Sequence, residues 1–184
     1  MQKKYQIFIS STYVDLIEER QRVLRAILDM GHIPAGMELF SAADEEQFSY
    51  IKRIIDECDY YVLVIGGRYG SIDDEGISYT EKEYDYAYSK KIPVLAFLHQ
   101  DVNEIPYRKV EPVPEKMQKL KSFQQKVSER RIINYWIDKE SLQSKVILSL
   151  TKAFADSPRT GWVRGDTAAS EELLGDLNAL RRMT

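Results

Sequence analysis

Six consecutive apolar residues, Tyr60-Tyr61-Val62-Leu63-Val64-Ile65, leave no polar face for water. A strand points successive side chains to opposite faces, so an unbroken run fits a central parallel strand covered on both sides. Residues 93–98, Pro-Val-Leu-Ala-Phe-Leu, repeat the pattern. Around these two runs, short apolar segments and amphipathic stretches alternate. Residues 5–9 read as a first strand. Residues 13–30 read as a helix whose apolar positions Leu16, Ile17, Val23, Leu24, Ile27 and Leu28 recur at helical spacing. Gly31 is placed to stop that helix. Residues 32–37 read as a second strand, which Pro34 makes an edge strand or an interrupted one. Phe48, Ile51, Ile55 and Cys58 share one face of a second helix.

A third helix is expected over residues 79–90, a proline-bearing irregular loop over 101–114, and a polar helix over 115–130. A fifth strand over 132–137 and a helix with Leu142, Val146, Leu150 and Phe154 inward complete five strand–helix alternations. The expected fold is α/β: a doubly wound, five-stranded parallel sheet of flavodoxin-like order 2-1-3-4-5 with a C-terminal helical tail. Residues 1–156 make the domain and 157–167 a linker. Residues 168–184 make a final helix with Leu173, Leu177 and Leu180 on one stripe, which either packs back or opens a coiled coil.

The 184 residues carry 26 basic and 29 acidic side chains, a net charge of −3. That balance gives neither a nucleic-acid footprint nor a polybasic membrane address. The lone cysteine, Cys58, excludes a disulfide framework, and the two histidines, His32 and His99, argue against a histidine-rich metal site. No apolar run approaches the roughly 20 residues of a membrane span, and no signal-peptide core follows the N-terminus. The expectation is a reduced, cytoplasmic protein.

In this architecture ligands sit beyond the carboxyl ends of the strands. Strand one is followed by Ser10-Ser11-Thr12-Tyr13-Val14-Asp15. Its hydroxyls and amides can hold a phosphate, or Ser11 or Thr12 caps the helix with Asp15 in its first turn. Strand two leads to Met37-Glu38-Leu39-Phe40, a carboxylate beside an aromatic lid or a plain surface loop. Strand three leads to Gly66-Gly67-Arg68-Tyr69-Gly70-Ser71, where glycines permit close backbone approach and Arg68 can meet a phosphate. This loop matches neither the G-x-G-x-x-G fingerprint nor the phosphate loop ending in Gly-Lys-Ser/Thr, and it reads equally as a plain turn.

The third helix opens Ser78-Tyr79-Thr80-Glu81-Lys82-Glu83. Ser78 with Glu81 and Thr80 with Glu83 are competing capping boxes. Two residues apart, the glutamates cannot share a helix face, so they are not an acid–base pair. A lone glutamate here can act as a nucleophile or stabilise an oxocarbenium ion. The 12 tyrosines either stack on a base or wrap the outer helices onto the sheet.

Phe8-Ile9-Ser10-Ser11-Thr12, Gly31-His32-Ile33-Pro34, Cys58-Asp59-Tyr60, Gly67-Arg68-Tyr69-Gly70-Ser71 and Ser78-Tyr79-Thr80-Glu81-Lys82-Glu83-Tyr84 occur in this order. In that set the chain resembles family 4062 of the domains of unknown function, regarded as TIR-like, strongly over residues 4–98 and more faintly to about Phe154. TIR domains and nucleoside deoxyribosyltransferases share the architecture and place a key glutamate on the helix before strand four. Glu83, Ala87, Lys90 or Lys91, Pro93 and Val94 fall on the transferase-like pattern. The resemblance therefore implies Glu83 as the catalytic residue cleaving the nicotinamide–ribose bond of NAD. It implies Ser10, Ser11, Thr12, Glu38, Gly67, Arg68, Tyr69, Ser78 and Glu81 as substrate-binding candidates. NAD would be a substrate rather than a cofactor, and no metal is called for. The expected setting is bacterial defence or signalling. Three functions stand open: a nucleotide-cleaving enzyme, a non-catalytic scaffold that self-associates through its faces and tail helix, and a nucleotide sensor without turnover.

Overall fold

The structure, a computed structural model, describes residues 2–36 and 45–182. Met37, Glu38 and Phe40 lie outside the described residues. Five strands, β1 (Gln6–Ser10), β2 (Ile33–Gly36), β3 (Tyr60–Ile65), β4 (Val94–His99) and β5 (Ile133–Trp136), form one sheet. All pairings are parallel and the order is β2-β1-β3-β4-β5, a flavodoxin-like arrangement. The continuous apolar run β3 takes the centre and Pro34 lies in the edge strand β2, where a missing N–H costs no inner ladder bond.

Among the described residues six α-helices accompany the sheet: α1 (Ile17–Asp29), α2 (Glu45–Asp56), α3 (Tyr79–Ser89), α4 (Pro114–Arg130), α5 (Lys139–Asp156) and α6 (Gly165–Arg182). Alternation along the strands divides the core. Ile9, Val62, Val64 and Phe97 face α1 and α5, meeting Val23, Ile27, Leu142 and Val146. Phe8, Tyr61, Leu63 and Ala96 face the other side, meeting Ile51 of α2, Tyr84 of α3 and Phe123 of α4.

Two local expectations need correction. Helix α1 begins at Ile17, not Tyr13, and neither Ser11 nor Thr12 caps it: Leu16 is its N-cap residue, without a side-chain cap bond. The Ser11 hydroxyl instead donates to the Thr12 carbonyl and accepts from Arg20. The buried stripe of α1 is Leu16, Arg20, Val23 and Ile27, whereas Ile17 and Leu28 face solvent. At its other end Gly31 takes φ +83°, a conformation that ends a helix cheaply only in glycine.

The segment after α5 is docked. Lys4 and Trp162 exchange two backbone hydrogen bonds of 2.8 and 2.7 Å, Gly161 N donates to Asp59 Oδ1 at 2.9 Å, and the Tyr60 hydroxyl donates to the Ser157 carbonyl at 2.6 Å. Beyond it, α6 leaves Leu173, Leu177 and Leu180 at 64%, 56% and 63% exposure. No helix among the described residues is long and apolar enough to cross a membrane.

Candidate functional site

Ser10 closes β1 on the α3 side of the sheet, in phase with Phe8. Its hydroxyl donates to Glu83 Oε2 at 2.6 Å. The two residues are 1% and 4% exposed. Ser78 starts α3 by accepting the Glu81 amide at 3.1 Å. The helix then carries Glu83 inward beside Tyr84 and Ala87. Tyr61, fully buried in the next strand, has a hydroxyl with no hydrogen-bond partner among the described residues. Burial pushes that phenol well above its ordinary value, and the charge of Glu83 pushes the same way. A carboxylate held in a core is costly unless hydrogen-bonded, and the Ser10 hydroxyl supplies such a bond.

Glu81, one helix face away, is committed elsewhere. It accepts from the Tyr69 hydroxyl at 2.5 Å and pairs with Lys126 of α4. Lys126 also pairs with Asp85 at 2.8 Å. Of the competing capping schemes, the Ser78 cap is the one realised. It separates the roles of the two glutamates: Glu81 fastens α3 to α4 and to the glycine loop, whereas Glu83 reaches under the sheet edge to Ser10.

Arg20 is not among the residues expected at the site, yet it is buried. Its Nη1 donates to Ser11 Oγ at 2.8 Å and its Nη2 to the Ile9 carbonyl at 3.3 Å. The signal was available: Leu16, Arg20, Val23 and Ile27 keep the four-three-four spacing of one helix stripe. Arg20 thus holds the loop carrying Ser11 and the half-buried Thr12 against the end of β1.

The glycine loop is covered by the chain itself. A Cβ on Gly67 would stand 2.7 Å from the Lys109 carbonyl oxygen, and the Glu111 amide donates to the Gly67 carbonyl at 2.8 Å. Glu111 Oε2 accepts the Tyr69 amide at 3.2 Å, and Arg68 Nη2 donates to the Arg108 carbonyl at 2.7 Å. The close approach that Gly67 permits is therefore taken by the loop after β4, which straps the end of β3. Gly70, at φ +92°, makes room in the same way for the Thr12 methyl.

On the opposite side of the sheet lies a cavity of about 260 Å³. Its walls are the start of α1, Gly66 and Gly67, the end of β4 at His99, the strap, and the turn from Trp136 into α5. Asp15, buried at 3% exposure, lines it, and its Oδ2 has no hydrogen-bond partner among the described residues. Burial raises the Asp15 carboxyl above its ordinary range; the neighbouring Thr12 hydroxyl and the charges of Arg68 and Lys109 oppose the rise. The Thr12 hydroxyl lies close but completes no hydrogen bond of its own. Neither Ser10 nor Glu83 borders this cavity. Sequence placed Ser10 and Glu83 at one edge, and the structure brings them into contact. Arg68 instead falls near Asp15, and Glu38 lies outside the described residues. No group of three or more potential metal ligands occurs among the described residues.

The family model described as a domain of unknown function (DUF4062) matches residues 6–151. The chain belongs to that family. No curated protein sequence matches it. Among solved structures it is similar to a mutant flavo di-iron protein from Thermotoga maritima, with 13% identity and a TM-score of 0.44 over 83% of this chain. The chain spans 36% of the length of that protein.

Proposed function

We propose that this member of the DUF4062 family cleaves the N-glycosidic bond of NAD or a related nucleotide, with Glu83 as the catalytic carboxylate. One observation carries the reading: the buried 2.6 Å bond from Ser10 to Glu83 at the carboxyl end of β1. This is the crevice region where parallel sheets of this order bind ligands. A carboxylate beside the anomeric carbon stabilises the positive charge that develops as the nicotinamide–ribose bond breaks. The leaving base takes the bonding electron pair and departs neutral. Water then adds to the anomeric carbon, directly or after a glycosyl ester on Glu83, and a proton is released. The Ser10 hydroxyl fixes the orientation of the carboxylate. Because Glu83 is almost fully covered, a nucleotide reaches it only when covering segments part.

The test is NAD loss with nicotinamide release, measured across a range of protein concentrations for wild type, Glu83→Ala and Asp85→Ala. Asp85 sits two residues further along α3 in an outer ion pair with Lys126, outside the proposed site. Loss of at least about a hundredfold in rate for Glu83→Ala alone supports the reading. Equal turnover in all three, or none in the folded wild type, overturns it.

A second reading has its own support. The leucine stripe of α6 stands in solvent, as a helix does when its partner is another chain. On that reading the domain is a scaffold that self-associates through α6. It predicts a mass that rises with concentration and falls to the monomer in Leu173→Ser/Leu177→Ser/Leu180→Ser.

A further inference from the structure

We propose that the cavity between α1, the end of β4 and the start of α5 binds a small organic cation, an alkyl diammonium, anchored on the Asp15 carboxylate. This site lies across the sheet from Glu83 and does not depend on the reading given to that residue.

The charge of the walls selects the sign of the ligand. Five carboxylates border the cavity, those of Asp15, Glu19, Glu104, Asp138 and Glu140, against two ammonium groups, Lys109 and Lys139. Both lysines are already paired, Lys109 with Glu19 at 3.1 Å and Lys139 with Glu18 at 2.7 Å. Glu140 in turn is paired with Arg22 at 3.2 Å and Asp138 caps α5, which leaves Asp15 and Glu104 to attract ammonium groups and repel phosphates.

Asp15 supplies the specific anchor. A buried carboxylate oxygen without a donor costs free energy, and a charged donor offsets that cost best. Arg68 and Lys109 lie close enough to act on Asp15 electrostatically, yet Lys109 is held by Glu19 and Arg68 donates to the Arg108 carbonyl. An ammonium entering the cavity brings the missing donor.

The rest of the lining fits an alkyl chain rather than a bare ion. Leu16, Ile105 and Trp136 are apolar. Trp136 meets the His99 ring edge-on at 4.7 Å. Both nitrogens of His99 are engaged, Nδ1 by the Asp101 amide at 3.2 Å and Nε2 with the Ile137 carbonyl at 3.2 Å. His99 is thus a wall and not a metal ligand. The volume falls just below the roughly 300–1,000 Å³ of drug-sized sites, so the occupant is small. The outer carboxylate Glu104 gives a second ammonium a place at the rim.

The experiment is calorimetric titration of the whole chain with 1,4-diaminobutane, with n-butylamine and magnesium chloride as comparison probes, in about 0.15 M sodium chloride to screen exposed charges. The expected result is saturable binding of the diamine, a weaker response to the monoamine, and none to magnesium. Asp15→Asn, close to isosteric, is expected to weaken the diamine about tenfold or more. Glu104→Gln, at the exposed rim, is expected to weaken the diamine several-fold and leave the monoamine unchanged. Absence of saturable binding to wild type, or the same response to magnesium as to the diamine, overturns the proposal. So does wild-type diamine affinity in folded Asp15→Asn. Should that variant fail to fold, the Glu104→Gln titration decides alone: an unchanged diamine affinity overturns the site.

Discussion

Ser10 Oγ and Glu83 Oε2 stand 2.6 Å apart although 73 residues separate them in the chain, so one hydrogen bond ties the end of β1 to α3. Removing the donor takes a hydrogen bond from a buried carboxylate. Ser10→Ala is therefore expected to lower the unfolding free energy by about 1–3 kcal/mol. Glu83→Gln keeps an acceptor for Ser10 and is expected to cost much less. Urea unfolding of the two variants checks this. A Glu83→Gln protein that is as stable as wild type yet loses turnover separates the catalytic role of the carboxylate from a structural one.

The strap over the glycine loop is expected to respond to a single methyl group. Gly67→Ala places a Cβ where the Lys109 carbonyl oxygen now lies, a distance of 2.7 Å, and the contact is backbone on both sides. The strap must shift, at a cost of about 1–3 kcal/mol. Limited proteolysis is expected to cut within residues 101–113 faster in Gly67→Ala than in wild type. An unchanged cleavage pattern would show that the strap is not fastened through Gly67.

Much of this arrangement could be read from sequence, and the failures share a cause. The apolar runs of β3 and β4 gave the centre of the sheet because burial on both faces demands continuous hydrophobicity. Pro34 gave the edge, and the two-residue offset of Glu81 and Glu83 gave their separation onto different helix faces. Hidden were the pairings that close over long loops: Glu111 beneath Tyr69, the Lys109 carbonyl on Gly67, and Arg20 behind Ser11. Each joins a polar side chain or carbonyl to a partner that no local periodicity specifies. Gly66-Gly67 cannot tell a ligand from a strap, because close approach reads the same whether the visitor is a phosphate or the chain's own backbone.

Asp15 makes stability depend on pH in a direction opposite to that of most carboxylates. Its folded carboxyl titrates above the ordinary value of 3.8, chiefly because it is buried. The folded state therefore holds that proton more tightly than the unfolded chain. The resulting stabilisation is fully present below pH 3.8 and is lost as pH rises through the folded value. At neutral pH Asp15→Asn removes a buried charge and is expected to unfold at higher urea than wild type. The gap between the two is expected to close as pH falls toward 3.8. A gap that widens on acidification contradicts this account.

Cys58 is 5% exposed and its thiol is pushed up to about 12, first by burial. Thiolate is the reactive species, so the native protein at pH 8 is expected to resist maleimide and disulfide reagents. Labelling is expected to follow unfolding, with a rate that rises across the urea transition. Fast stoichiometric labelling of the native chain would show that the segment around Cys58 opens readily.

The stretch after α5 behaves as part of the domain up to Trp162, and two truncations distinguish this from a loose connection. Ending the chain after Asp156 removes the Gly161 amide from Asp59 Oδ1, the Ser157 carbonyl from the Tyr60 hydroxyl and both backbone bonds to Lys4. Asp59 keeps the Gln6 amide, at 3.0 Å on its other oxygen. With individual hydrogen bonds worth roughly 0.5–1.5 kcal/mol, a loss of about 2–6 kcal/mol is expected. Ending it after Arg164 retains all four bonds and removes only α6, whose leucines contact water. That truncation is expected to stay within about 0.5 kcal/mol of the full chain in urea unfolding at low protein concentration. Equal destabilisation by both truncations would place the stabilising contacts in α6 rather than in the docked segment.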